Sequence, residues 1–159
     1  MPNESKKVVI WTFIVFSMLA IMYVVIQVER DMQKIDGLVY TFIVGKVEGN
    51  DDLLATILTD EAQGILKPGR HAYPGDMEKV GDQYEIMRWD GRHHEGAMIY
   101  EVKFLRPSTG KVDLYNVLVL KTEDGWKIAK NSSVDNLLIE TIKRESDGLL
   151  IHEFGFGGD

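Results

Sequence analysis

The longest apolar run of the chain lies close to its N-terminus, from Val8 to Val28. These 21 residues carry no charge, and a helix of that length spans about 30 Å, the thickness of a bilayer's hydrocarbon core. The run is longer than the apolar part of a cleaved signal peptide, and no A-x-A-like cleavage site follows it. We therefore predict an uncleaved transmembrane signal anchor that contacts membrane lipid, marked by Val8, Trp11, Phe13, Tyr23 and Val28.

The charges on the two sides of this span predict its orientation. Lys6 and Lys7 precede it, whereas Glu29, Arg30 and Asp31 follow it. Because positive flanks favour the cytoplasmic side, we expect residues 1–7 in the cytoplasm and the C-terminal domain outside it. The chain is thus predicted to be a single-pass protein of the cell membrane.

Helical periodicity continues beyond the span. Apolar residues from Met32 to Val47 recur at a spacing of three or four, although Gly37 and Gly45 weaken the helix. Gly49 and Asn50 are expected to end it. A second helix, capped by Asn50 or Asp51, is then predicted to bury Leu54, Ile57 and Leu58 and to reach about Thr59. Residues 60–82 contain repeated Pro and Gly and are expected to form a long irregular connection.

From Tyr84 onward the apolar residues alternate with polar ones, which is typical of strands. Short turn signals separate the runs, so we expect antiparallel hairpins in a sheet with one covered side. The predicted strands are Gln83–Trp89, Ala97–Arg106, Lys111–Lys121 and Trp126–Lys130.

The C-terminal part predicts one more helix, which begins after Ser132 or Ser133 and ends at Asp147-Gly148. The following LLIHEF segment is expected to form a short edge strand. Helices followed by an antiparallel sheet give an α+β fold class. The predicted organisation is a cytoplasmic tip (1–7), a transmembrane anchor (8–28), an extracytoplasmic domain (29–131), and a C-terminal helix and tail (132–159).

Composition narrows the class of protein. The 159 residues include no cysteine, which excludes disulfides, thiolate metal sites, a cysteine nucleophile and lipidation of a cysteine. Residues 29–159 carry 16 basic and 24 acidic side chains, and this acidic balance argues against a nucleic-acid partner. An exterior domain without cysteine fits the surface of a Gram-positive bacterium.

Three stretches carry a resemblance to a known superfamily. They are VEGNDDLLATILTDEA (Val47–Ala62), the hairpin EGAMIYEVKFLRPSTGKVDLYNVLVLK (Glu95–Lys121) and EDGWKIAK (Glu123–Lys130). Together they resemble the NTF2-like (cystatin-like α+β) superfamily, over roughly residues 31–131, with an added C-terminal helix. The resemblance implies a curved sheet wrapped around a cavity or an interaction surface. Because members of this superfamily include both enzymes and assembly modules, the fold does not decide the function.

The densest polar cluster is Gly91–Gly96, which contains His93 and His94. Two histidines beside Glu95 could bind zinc or respond to pH. However, adjacent side chains of an extended segment point in opposite directions, so a solvated hairpin loop is the preferred interpretation and no metal or cofactor is expected.

Aromatic side chains are the candidates for lining a ligand pocket, with a core role as the alternative. Glu101 and Asp113 are carboxylates that could act as a general base if they are buried. No sequence motif of a known catalytic class is present. The aromatic candidates are Tyr40, Tyr84, Trp89, Tyr100, Tyr115 and Trp126.

The sequence thus favours a membrane-anchored, non-enzymatic binding or assembly module whose partner is an envelope protein or a small ligand. It predicts no particular oligomeric state. The alternative is a small enzyme of the isomerase, dehydratase or hydrolase kind, with a pocket acid or histidine as general base. A third hypothesis is a pH or ligand sensor that uses His93 and His94.

Overall fold

A computed structural model describes residues 2–64, 66, 83–89, 96–106, 110–129 and 133–155. The chain divides into two compact units, Met1–Ile35 and Asp36–Asp159. Helix α1 (Pro2–Glu48) contributes residues to both. The domain boundaries after residues 7, 28 and 131 stay predictions, while the C-terminal helix and tail belong to the same compact unit as the sheet.

The first unit contains the predicted anchor. Helix α1 is long and apolar enough to cross a membrane, and the large apolar side chains of its Val8–Val28 segment are exposed, for example Trp11 at 66% and Phe13 at 73%. The polar Thr12 is accommodated locally, because its hydroxyl donates to the carbonyl of Val8 at 2.9 Å. These features support a membrane-located, single-pass helix and argue against the buried core helix of a soluble protein.

The break after α1 occurs where the sequence predicts it. Gly49 has a φ of +62°, a left-handed conformation that glycine adopts without steric cost. The Asn50 side chain then accepts the Leu53 N–H at 2.9 Å and caps helix α2 (Asp51–Ile57). Residues 60–82 were expected to be irregular, but the structure contains a short helix α3 (Asp60–Gln63) there.

This short helix has a local cause. The Thr59 hydroxyl accepts the Ala62 N–H at 3.4 Å, and acidic residues occupy the first turn, where the helix dipole favours them. Residues 65 and 67–82 of the predicted connection lie outside the described part of the chain.

The described strands are β1 (Tyr84–Trp89), β2 (Ala97–Arg106), β3 (Lys111–Thr122), β4 (Gly125–Ala129) and β5 (Gly148–His152). They form one antiparallel sheet in the order β4-β3-β2-β1-β5. With helix α4 (Ser133–Glu145) it gives the expected α+β class. The central strand β2 has the predicted bounds, and β5 occupies the predicted edge position.

One face of the sheet, here called the Tyr100 face, forms a closed core. Its register aligns Arg88 with Tyr100 and Tyr100 with Val117. Tyr100 and Phe104 are 0% and 1% exposed. The segment between α2 and α3 also joins this sheet, because the Thr59 N–H donates to the Ile128 carbonyl at 2.9 Å. The buried residues of this face are Ile86, Met98, Tyr100, Val102, Phe104, Val117, Val119 and Ile128.

The opposite face, here called the Glu101 face, is also partly covered, which corrects the expectation of one covered side. Helix α4 packs Ile139 and Ile142 against Ala97, Ile99 and Leu118. Alternation along the strands predicts only which side chains share a face, and it carries no information about a helix that follows the sheet in sequence. At the other end of this face, a separate pair of apolar side chains, Val112 and Leu114, is more than half exposed.

Candidate functional site

The first polar cluster lies on the Tyr100 face and joins α1 to two strands. Arg88 and Tyr100 are register partners on β1 and β2, so their side chains lie side by side. Arg88 Nη1 donates to both carboxylate oxygens of Asp36, at 3.0 Å each. The Tyr100 hydroxyl donates to Asp36 Oδ1 at 2.8 Å. Two side chains from neighbouring strands therefore converge on one half-buried carboxylate of α1.

The charge states of this cluster follow from its surroundings. Burial lowers the pKa of Arg88, but its attraction to Asp36 and its hydrogen bonds outweigh that effect and raise the pKa overall. Burial, reinforced by the hydrogen bond to Asp36, raises the pKa of Tyr100 well above its usual value. Tyr100 therefore stays a neutral donor and Arg88 stays a cation. Because both Asp36 oxygens accept internal hydrogen bonds, this cluster is suited to holding α1 on the sheet rather than to removing a proton from a substrate.

The second polar cluster lies on the Glu101 face, beside helix α4. Lys143 Nζ donates to Glu101 Oε2 at 2.8 Å and to Asn116 Oδ1 at 2.6 Å. It also lies 4.6 Å from the centroid of the Trp89 ring, a cation–π distance. Lys103 continues the network, because its Nζ lies 3.5 Å from Glu101 Oε1. Lys103 also donates to Glu85 at 2.6 Å.

This network weakens Glu101 as a base. Burial raises the pKa of Glu101, but the hydrogen bond and charge of Lys143, followed by Lys103, lower it by more. The hydrogen bond to Glu85 is the main reason that the pKa of Lys103 is raised. A general base that works near neutral pH needs a raised carboxylate pKa, so the arrangement holds Glu101 as an ion-paired anion. Asp113, the other carboxylate considered, lies opposite Phe104 and is partly buried.

The six aromatic candidates occupy three places. The register puts Tyr84, Tyr100, Tyr115 and Trp126 on the Tyr100 face and Trp89 on the Glu101 face. Tyr40 lies on α1, where its ring is 5.4 Å from that of Tyr84.

Three of these rings, those of Tyr40, Tyr84 and Tyr115, pack against other aromatic side chains. Tyr115 stacks on Phe104 at 5.7 Å, and Tyr84 stacks on His152 at 3.8 Å. The structure therefore brings Tyr40 and Tyr84 together but does not gather all six, and their role in binding a ligand stays a prediction.

His93 and His94 lie outside the described residues. Within the described part of the chain, no group of three or more His, Cys, Asp or Glu side chains is placed to hold a metal ion.

Sequence reasoning missed Asp36, Lys143 and His152. Asp36 carried a detectable signal, because it is a charged residue one position after buried Ile35 and three before buried Val39. A carboxylate inside an apolar helical stripe needs a buried partner. Nothing local in the sequence identified Arg88 and Tyr100 as that partner, since they are 52 and 64 positions away.

Comparison of the chain with family models, with curated proteins and with solved structures finds no match.

Proposed function

We propose that the protein is a single-pass, membrane-anchored binding or assembly module without enzymatic activity, whose folded domain lies outside the cytoplasm. The packing of the Tyr100 face carries this proposal. Tyr100 and Phe104 lie on the sheet face where an NTF2-like arrangement would have a pocket, and they are almost completely buried. The polar groups beside them bind Asp36 and one another rather than a vacant site.

The orientation belongs to the same proposal. Lys6 and Lys7 favour a cytoplasmic N-terminus, and the acidic residues 29–159 are disfavoured beside the anionic inner surface of a membrane. The exposed apolar side chains of the Val8–Val28 segment support membrane insertion itself.

We also propose an NTF2-like arrangement for the second unit. It is supported by the element order, in which helices α1 to α3 precede a long antiparallel hairpin and a strand that carries Trp126. Helix α4 and strand β5 are additions to that minimal pattern, and α4 covers part of the Glu101 face.

Crosslinking of the full chain in its native membrane tests this function. We expect one envelope protein to be recovered in a stoichiometric amount. A matched control replaces residues 8–28 with an unrelated apolar span of equal length, and it should recover the same partner because the folded domain makes the contact. Failure to recover any partner, together with turnover of a small molecule by the purified full chain, would show that the protein is an enzyme instead.

A further inference from the structure

Strand β5 forms one edge of the described sheet. It follows helix α4 and pairs with β1, and within the described residues no strand lies beyond it. Leu149 pairs with Arg88 and Leu150 with Met87, so the two leucines lie on opposite faces of the sheet. They are 54% and 46% exposed. The edge thus presents an apolar side chain on each face.

Within the described residues, the β5 strand itself carries no charged or proline residue of the kind that blocks pairing with another chain. Natural edge strands are often blocked by proline or by charged residues, especially lysine, within the strand. Gly148–His152 contains no lysine, proline or acidic residue. The register irregularity between Ile86 and Met87 affects the inner pairing of β1 with β5. An exposed strand of this kind is suited to accept an extended segment through backbone hydrogen bonds.

The charges that flank β5 identify the kind of occupant. Asp147 and Glu153 lie directly before and after the strand, and both are exposed. In a two-fold antiparallel pairing of two copies centred on Leu150, Asp147 of each copy would face Glu153 of the other. These like charges oppose self-pairing, and the acidic balance of residues 29–159 adds to the repulsion. A segment with a basic residue at each end gives opposite charges at both positions.

We propose that the outer edge of β5 binds an extended, apolar segment with basic flanks from a partner protein, which joins the sheet as a further strand. This inference deepens the proposed binding function and depends on it. Leu149 and Leu150 supply the apolar contacts on the two faces, and Asp147 and Glu153 select the charge of the partner.

Peptide binding to the full chain in phosphatidylcholine nanodiscs tests the charge selection. The probes are Lys-Val-Thr-Val-Thr-Val-Lys and the matched Glu-Val-Thr-Val-Thr-Val-Glu, whose end residues have the same spacing as Asp147 and Glu153. We expect the lysine peptide to bind about tenfold more tightly, with the difference decreasing at high salt. The double variant Asp147→Lys, Glu153→Lys should reverse the preference. Equal binding of both peptides, no binding, or an unchanged preference in the double variant would overturn the proposal.

A second pair of variants tests the position of the contact. Leu150→Lys places a charge within the edge strand and should abolish binding of the lysine peptide. Leu137→Lys makes the same change on α4, where Leu137 is 71% exposed, and should leave binding unaltered. Equal loss of binding in both variants would contradict an edge site.

Crosslinking separates the remaining outcomes. Because the chain has no cysteine, Leu150→Cys forms a disulfide-linked dimer only where two β5 edges meet. A dimer as the main product in membranes would show that a second copy is the occupant.

A photo-crosslinker at residue 150 should capture the partner, whereas one at residue 114 should not. Capture from residue 114 alone would overturn the edge proposal but leave the proposed binding function standing. If no partner is captured at either position, and none is recovered by crosslinking the full chain, the proposed binding function itself is contradicted.

Discussion

At the scale of single residues, two glycines of α1 have opposite roles. A Cβ atom at Gly45 would lie 2.7 Å from Cγ and Cδ2 of Leu54, so this glycine permits the close approach of α2. A Cβ atom at Gly37 would meet nothing within 4 Å. From the sequence alone both glycines are only weak points of the helix, since spacing along α1 carries no information about what packs against it.

This difference predicts opposite effects of the same substitution. Gly45→Ala should lower the free energy of unfolding by about 1–3 kcal/mol, because Leu54 is 2% exposed and has little room to move. Gly37→Ala should raise it by about 1 kcal/mol through helix propensity. Urea unfolding of the full chain in a mild detergent measures both. A stabilised Gly45→Ala variant would contradict the packing of α2 on α1.

The Tyr100 hydroxyl gives a prediction that depends on pH. Tyr100→Phe removes a hydrogen bond to a carboxylate and should cost about 1.5–3 kcal/mol near pH 7. Because folding raises the pKa of Tyr100, its contribution is complete below the unfolded-state value of about 10 and is lost as pH rises toward the folded value. The difference in unfolding free energy between wild type and Tyr100→Phe should therefore decrease near pH 11. A difference that grows with pH would contradict this assignment.

At the scale of elements, the alternation of apolar and polar residues predicted the strands well. It did not predict that a helix covers part of the Glu101 face. Ala97–Arg106 matches β2 because a buried central strand has a strict two-residue pattern. The same alternation gives no sign that Glu101, Lys103 and Asn116 lie beside a helix. Lys143 of α4 binds two of them, so the polar positions reflect a helix–sheet interface. The four-residue helix α3 is too short to show a periodic pattern, and its cap at Thr59 lies where the sequence predicts the end of the preceding helix.

The Lys143 network predicts how α4 is held on the sheet. Lys143→Met should destabilise the domain by about 1–3 kcal/mol, because it leaves Glu101 partly buried without its main cation. Lys121→Met, on an exposed position of β3, is the matched control and should change stability by less than about 0.5 kcal/mol.

The pH dependence of this effect has a definite sign. Folding lowers the pKa of Glu101, so its stabilising contribution is present above the unfolded-state value of about 4.3 and is lost as pH falls through the folded value. The cost of Lys143→Met should therefore shrink in acid. Urea unfolding near pH 7 and near pH 3 measures it, and a cost that stays constant across this range would show that the ion pair does not hold α4.

At the scale of the whole molecule, the sequence predicts the anchor more firmly than the domain. A membrane span requires only a long uncharged run, which Val8–Val28 supplies and the exposed apolar side chains of α1 support. The α+β class follows from the order of helices and strands. That order does not specify the Asp36 and Glu101 clusters, because they form only when distant segments meet.

The location of the domain is the central claim, and labelling of single cysteines tests it most directly. The chain has no cysteine, so Ser5→Cys and Asp124→Cys each provide one label site, on opposite sides of the span. In intact cells, a membrane-impermeant maleimide should label residue 124, and it should label residue 5 only after lysis. Labelling of residue 5 in intact cells, or protection of residue 124 until lysis, would contradict a membrane-anchored domain outside the cytoplasm.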